Sequence, residues 1–331
     1  MNAQKIIAWG AWVACFLATS VAGAENPAPQ ETMAQKALAR DAVCTACHNE
    51  SWRVPVLSLY QTRHGNRADP RAPNCQSCHG ESSAHQQDPI GTSPEVVFGA
   101  KSKHISSAEE RSGACLTCHE SKVLPRTHWS GSEHESRGVA CTNCHDIHTP
   151  DMKVLNKLTQ AEVCFACHTT QRAQTHRIST HPLLVTSIGS PPKMVCSDCH
   201  NPHGSIGPKL LVKKSVNETC YTCHAEKRGP FLWEHAPAVD DCTNCHTPHG
   251  SAALNLLKTR PPWLCQECHS GDHAAALRSG SNLPGGNLTT INGSVPLASQ
   301  SPAIQSNARF CLNCHSLIHG SNHPAGSKFQ R

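Results

Sequence analysis

Cys196-Ser197-Asp198-Cys199-His200-Asn201-Pro202-His203-Gly204-Ser205 contains two thiols separated by two residues, a histidine directly after them and a second histidine three residues on. Two thiols at this spacing reach the vinyl groups that haem carries on neighbouring pyrroles. The next residue then lies under the ring, where an imidazole can bind iron from one face. One short segment thus attaches and ligates a haem.

The pattern Cys-x-x-Cys-His occurs ten times, and it uses every cysteine after Cys15. The attachment pairs are Cys44 and Cys47, Cys75 and Cys78, Cys115 and Cys118, Cys141 and Cys144, Cys164 and Cys167, Cys196 and Cys199, Cys220 and Cys223, Cys242 and Cys245, Cys265 and Cys268, and Cys311 and Cys314. The proximal iron ligands are then His48, His79, His119, His145, His168, His200, His224, His246, His269 and His315. At this cysteine and histidine content, chance supplies about 0.1 such motifs. Zinc would need ligands in sets of four, and neither zinc nor disulfides would require a histidine after every cysteine pair. The sequence therefore predicts ten covalent haems c.

Fourteen further histidines remain, against methionines only at 33, 152 and 194 once the initiator is set aside. After the odd-numbered motifs a histidine follows 11 to 16 residues on, at His64, His134, His181 and His235, and at four residues in His273. After the even-numbered motifs one follows sooner, at His85, His148, His203, His249 and His319. The chain reads as five dihaem repeats with two distal candidates each. His104, His128, His176 and His323 are surplus and are expected at the surface, although His128 competes with His134, His176 with His181 and His323 with His319. A histidine three residues past the proximal ligand extends only about 10 Å. His148, His203 and His249 are therefore expected to serve neighbouring haems.

The expected fold is a multihaem cytochrome c, mostly coil with short α-helices, little or no sheet, and a core formed by the haem stack. Aromatic residues make up only 4% of the 331, whereas glycine numbers 21 and proline 23, which argues against an ordinary side-chain core. Short helices are expected at Gln160 to Cys167 and Ser251 to Lys258. A loop is expected from Ser279 to Asn307. A soft boundary near Ser187 divides the chain after its signal into pentahaem halves, 25–187 and 188–331.

Residues 1–24 read as a secretory signal, with Lys5, an apolar run from Ile6 to Val21 and the cleavage site Ala22-Gly23-Ala24. An uncleaved anchor and a lipoprotein at Cys15 are the alternatives. Removing Lys5 lowers the formal charge from +5 to +4. Ten oxidised haems at about −1 each would carry it to about −6, so nucleic acid is not an expected partner. With ten distal candidates, no iron needs to be left open to substrate, and no Cys-x-x-Cys-Lys motif occurs. This favours an electron carrier over a reductase. An electron store is the third reading.

Cys-Ser-Asp-Cys-His-Asn-Pro-His-Gly-Ser (196–205), Cys-Tyr-Thr-Cys-His-Ala-Glu-Lys-Arg-Gly-Pro with Leu-Trp-Glu-His-Ala-Pro (220–237) and Cys-Leu-Asn-Cys-His-Ser with His-Gly-Ser-Asn-His-Pro (311–324) resemble the periplasmic decahaem cytochromes of the MtrA, MtoA, PioA and DmsE type. The resemblance covers about 41–331. It implies bis-histidine haems in an insulated chain across the outer membrane, within an outer-membrane β-barrel porin. It also implies periplasmic or inner-membrane multihaem cytochromes as partners on one side, and an outer-face cytochrome or extracellular iron on the other. Relatives run the chain in either direction, for Fe(II) oxidation or for reduction of Fe(III) and other acceptors.

Overall fold

Cys-x-x-Cys-His needs a helical turn, because residues i, i+3 and i+4 share one face of a helix. In the computed structural model, which describes residues 32–49, 51, 54–69, 71–99, 102, 104–120, 128–184, 191–269, 287–290, 293–296, 311–313, 315–324 and 326–329, the motifs form such turns. The histidine amide donates to the carbonyl of the first cysteine at 2.9 Å in His48, His145, His224 and His269, and at 3.0 Å in His168, His200 and His246. The expected signal 1–24, Cys314 and His273 lie outside the described residues.

In chain order the helices are α1 (Met33–Thr45), α2 (Cys75–His79), α3 (Ser83–Gln87), α4 (Ala108–His119), α5 (Glu133–Ser136), α6 (Gln160–Phe165), α7 (Thr169–Gln174), α8 (Val216–Cys220), α9 (Ala236–Asp240) and α10 (Trp263–Gln266). Helices α1, α4, α6, α8 and α10 run into the odd motifs. Even motifs after the first are 3-10 turns, at Cys141–Asn143, Cys196–Asp198, Cys242–Asn244 and Cys311–Asn313. Residues inside the motif close some of these turns: Asn143 accepts from the Ala140 amide at 2.7 Å and Asp198 from the Val195 amide at 2.9 Å. Among the described residues no helix is long and apolar enough to cross a membrane.

Two local expectations need correction. The helix expected to reach Cys167 ends at Phe165, with Ala166 as its C-cap. The segment Ser251 to Lys258 is not an α-helix but a 3-10 turn, Leu254–Leu256, kinked where Asn255 and Leu256 take φ of 58° and 59°. This kink lets the Leu256 carbonyl accept from the Thr247 amide at 2.7 Å and turns the Asn255 carbonyl to His246 Nδ1 at 2.8 Å. Lys209 and Leu210 repeat it, with φ of 53° and 58° and a 3.0 Å contact from the Lys209 carbonyl to His200 Nδ1. Left-handed backbone in non-glycine residues is unfavourable by about 1–2 kcal/mol each. Its recurrence marks a geometric demand around the motif histidine.

The expected Ser279–Asn307 loop contains an antiparallel hairpin, β1 (Asn287–Thr290) with β2 (Gly293–Pro296), which carries the β-branched Thr289, Thr290 and Val295. It is the whole of the sheet among the described residues. The fold is otherwise coil with short helices, as the motif spacing predicts.

Buried apolar side chains among the described residues are few: Leu59, Trp129, Phe165, Val195 and Leu257, with three alanines. Among the described residues the largest fully buried side chain is Asp41, 1% exposed, which forms an ion pair with Arg67 at 2.9 Å. Asp41 also accepts from Tyr60 Oη at 2.9 Å and from the Cys75 amide at 3.3 Å, tying α1 to the second motif. Asp41→Ala would strand a buried guanidinium, and should lower the stability of the holoprotein in urea by about 3–5 kcal/mol. Burial, then the hydrogen bond to Asp41, pushes the Tyr60 phenol up from 10 to about 12. A raised pKa for a neutral acid stabilises the fold below the unfolded value and is lost above it. Stability contributed by Tyr60 should therefore decline from pH 10 to about 12. A Tyr60→Phe variant should lack this alkaline component in a pH series of melts.

Candidate haem channel

Among the described residues nine motif histidines each face a second imidazole. The ring centroids lie 6.2 Å apart for His48 and His85, 6.3 Å for His79 and His148, 6.0 Å for His119 and His64, and 5.9 Å for His145 and His203. They lie 6.1 Å apart for His168 and His134, 6.0 Å for His200 and His249, and 6.4 Å for His224 and His181. The last two pairs are His246 with His319 at 6.2 Å and His269 with His235 at 6.1 Å. Two imidazoles bound from opposite sides of one metal, at metal–nitrogen distances of about 2 Å, place their centroids about 6 Å apart. The pairs fit an iron held between them.

The partners come from other motifs. His64, His134, His181 and His235 each face the motif two further along, as His134, after the third motif, faces His168 of the fifth. Each even-series histidine from His148 onward faces the motif two back, as His203, after the sixth, faces His145 of the fourth. His85 faces His48 and closes the amino-terminal end. His104, His128, His176 and His323 are exposed.

The imidazoles are oriented through Nδ1, which leaves Nε2 for metal. Besides the contacts at His200 and His246, the Val96 carbonyl lies 3.0 Å from His79 Nδ1, Thr92 2.7 Å from His85 and Val56 3.0 Å from His148. Pro202 lies 2.8 Å from His134 Nδ1, Pro248 2.7 Å from His181 and Ile318 2.8 Å from His235. Each of these last three acceptors immediately precedes an even-series histidine, so adjacent imidazole pairs are mechanically linked. Burial, then the opposing imidazole, pushes the pKa of His48, His64 and His249 down, favouring the neutral form that binds metal.

The thiols order the motifs in space. In each repeat the first sulfurs of the odd and even motifs lie close together: Cys44 by Cys75, Cys115 by Cys141, Cys164 by Cys196, Cys220 by Cys242 and Cys265 by Cys311. Between repeats the second sulfurs are neighbours, Cys78 of Cys118, Cys144 of Cys167, Cys199 of Cys223 and Cys245 of Cys268. Motif follows motif in single file.

A continuous channel of 4180 Å³ runs along this file, lined by residues from Gln61 to Phe329 and by eight of the motif histidines. Ordinary ligand pockets are about 300–1,000 Å³. Trp129 lines the channel, and its buried Nε1 has no protein acceptor, a donor suited to a haem propionate. The described cysteines form no disulfide, and no cluster of three or more potential ligands among the described residues could hold a metal such as zinc.

The sequence reading missed the residues around the imidazoles. A β-carbon on Gly204 would lie 1.9 Å from the His128 carbonyl, and one on Gly250 2.0 Å from that of Gln174. The glycine of His-Gly-Ser therefore lets two backbones cross beside the histidine, and the repetition of that triplet was its signal. Met152 gave none: its sulfur lies 3.1 Å from His145 Nδ1, behind the ring rather than facing iron.

These features define a multihaem c-type cytochrome, an electron-transfer protein with covalently attached haem c. Residues 191–229 and 235–274 match the family described as doubled CXXCH motif, and residues 75–167 match the cytochrome c-type protein NrfB-like family. The chain is 43% identical over 293 residues to multiheme cytochrome MtrA of Shewanella baltica (strain OS185), covering 87% of this chain and 80% of that protein. It belongs to the MtrA family of multihaem cytochromes.

Proposed function

We propose that the chain carries ten haems c, each ligated by two histidines, and conducts electrons along them across the outer membrane inside a β-barrel porin. The observation that carries this reading is the single file of motifs with facing imidazoles. The haem irons supply one-electron chemistry. The motif histidines and the imidazoles that face them would hold the irons from both sides, which would leave a substrate no vacant site. Bis-histidine ligation, without an axial methionine, sets low to moderate potentials. His273 is the remaining distal candidate and is assigned to the iron of His315. The location is the periplasm at the outer membrane. The porin surrounds the cytochrome, periplasmic or inner-membrane multihaem cytochromes exchange electrons at one end, and an outer-face cytochrome or extracellular iron does so at the other. Both Fe(II) oxidation and Fe(III) or other metal reduction suit a reversible wire, and the partners at its ends choose between them.

Haem content of the isolated protein should be ten per chain, with a low-spin spectrum. Reconstitution with its porin in liposomes should let an external reductant reduce an enclosed dye. If the dye stays oxidised with both proteins present, the conduit reading fails.

A further inference from the structure

The even motifs share one way of holding the proximal imidazole, and the fourth departs from it. His79, His200 and His246 present Nδ1 to the carbonyls of Val96, Lys209 and Asn255 at 3.0, 3.0 and 2.8 Å, and His315 does so to Lys328. His145 has the Met152 sulfur 3.1 Å from Nδ1. The local backbone accounts for the difference. After the sixth and eighth motifs, two consecutive left-handed residues swing a carbonyl towards the ring. Residues 146–158 contain no positive φ, and the Met152 carbonyl accepts from the Leu155 amide at 2.9 Å. That carbonyl is committed to a 3-10 turn, Lys153–Leu155, and the side chain meets the histidine instead.

We propose that Met152 sets the potential of the haem bound by His145 and His203, making it the haem of highest potential in the even series. This rests on the ligand pairing proposed above. A carbonyl accepting from Nδ1–H gives the imidazole anionic character, increases its donation to iron and favours the ferric state. A thioether sulfur is a weak acceptor. His145 is therefore the poorer donor, and the ferrous state of its iron is favoured relative to the others. Met152 touches the ligand and not the iron, so it is a positioning and tuning residue. It places a potential step near the middle of the file, where an electron arriving from either end would dwell.

The test uses the full-length holoprotein and marks one haem among ten. His203→Ala should convert about a tenth of the haem to the high-spin form, whose midpoint can be followed alone in a spectroelectrochemical titration. Met152→Gln in that background offers an amide carbonyl to His145 and should lower the midpoint. Met152→Leu, close in volume and easily accommodated, removes the acceptor and should raise it. The expected change for Gln is about tenfold in the ferric-to-ferrous ratio at fixed potential, which is about 59 mV for one electron. The same displacement of one-tenth of the amplitude should appear with His203 intact. An identical high-spin midpoint in all three proteins overturns the role of Met152 and leaves the pairing standing. Failure of His203→Ala to produce high-spin haem removes the pairing and this inference with it.

Discussion

Chain exported without haem attachment should give the circular dichroism of an unfolded polypeptide and no cooperative melt, whereas the holoprotein melts cooperatively. The buried apolar side chains described here are five large ones and three alanines, against the thousands of square ångströms of apolar surface that a side-chain core of this length would need. Stretches from different repeats are joined by scattered hydrogen bonds, among them the contacts of His134 to the Pro202 carbonyl and of His181 to the Pro248 carbonyl, and iron bound at Nε2 would fix those imidazoles. Without iron between them, His134 and His168 have no reason to stay 6.1 Å apart. Binding free energy of the cofactor is then folding free energy, as in small metal-dependent domains. A haem-free chain that melts in a single sharp transition would contradict this.

Gly250→Ala should be a severely damaging single methyl group. The glycine has φ of 151°, and its β-carbon would lie 2.0 Å from the Gln174 carbonyl and 3.1 Å from the Thr180 methyl. Unfavourable backbone alone is worth about 1–3 kcal/mol, and the obstacle is main chain of α7 that cannot rotate away. Relief requires moving residues 248–251, which carry His249 and the Pro248 carbonyl that orients His181. The expected result is loss of low-spin character at up to two of the haems together with a lower Tm, read by absorbance and calorimetry. Gly113→Ala is the control. Nothing lies within 4 Å of its β-carbon and it sits inside α4, so the holoprotein should gain about 0.5–1 kcal/mol. If Gly250→Ala behaves like the control, the crossing of the two backbones does not seat His249.

How much of this was legible in sequence follows from which features repeat. Cys-x-x-Cys-His is local chemistry with fixed spacing, so attachment sites and proximal histidines could be read one by one. The distal candidates were visible as a second periodicity, and a chain-length limit alone sent His148, His203 and His249 to other haems. Their partners were not legible, because the choice between one motif and the next depends on where the chain crosses itself. The kink at Asn255 and Leu256 was missed for a related reason. Leu254, Leu256 and Leu257 look like anchors of a helix until the carbonyl demand of His246 is known. Met152 carries no pattern at all, since its role comes from the absence of a kink that its neighbours have.

The interleaving of histidines also imposes a timetable on assembly. A chain entering its compartment amino terminus first delivers His134 before the fifth motif, so an odd-numbered haem after the first finds its second ligand already present. An even-numbered one before the tenth must wait, as the fourth waits for His203, which emerges 58 residues after His145. The most recent even haem on a growing chain would be open on one side until the next repeat arrives to close it. A chain ended at residue 187 should therefore keep one reactive iron, at His145. Maturation would proceed as a zipper in which each repeat completes the one before it.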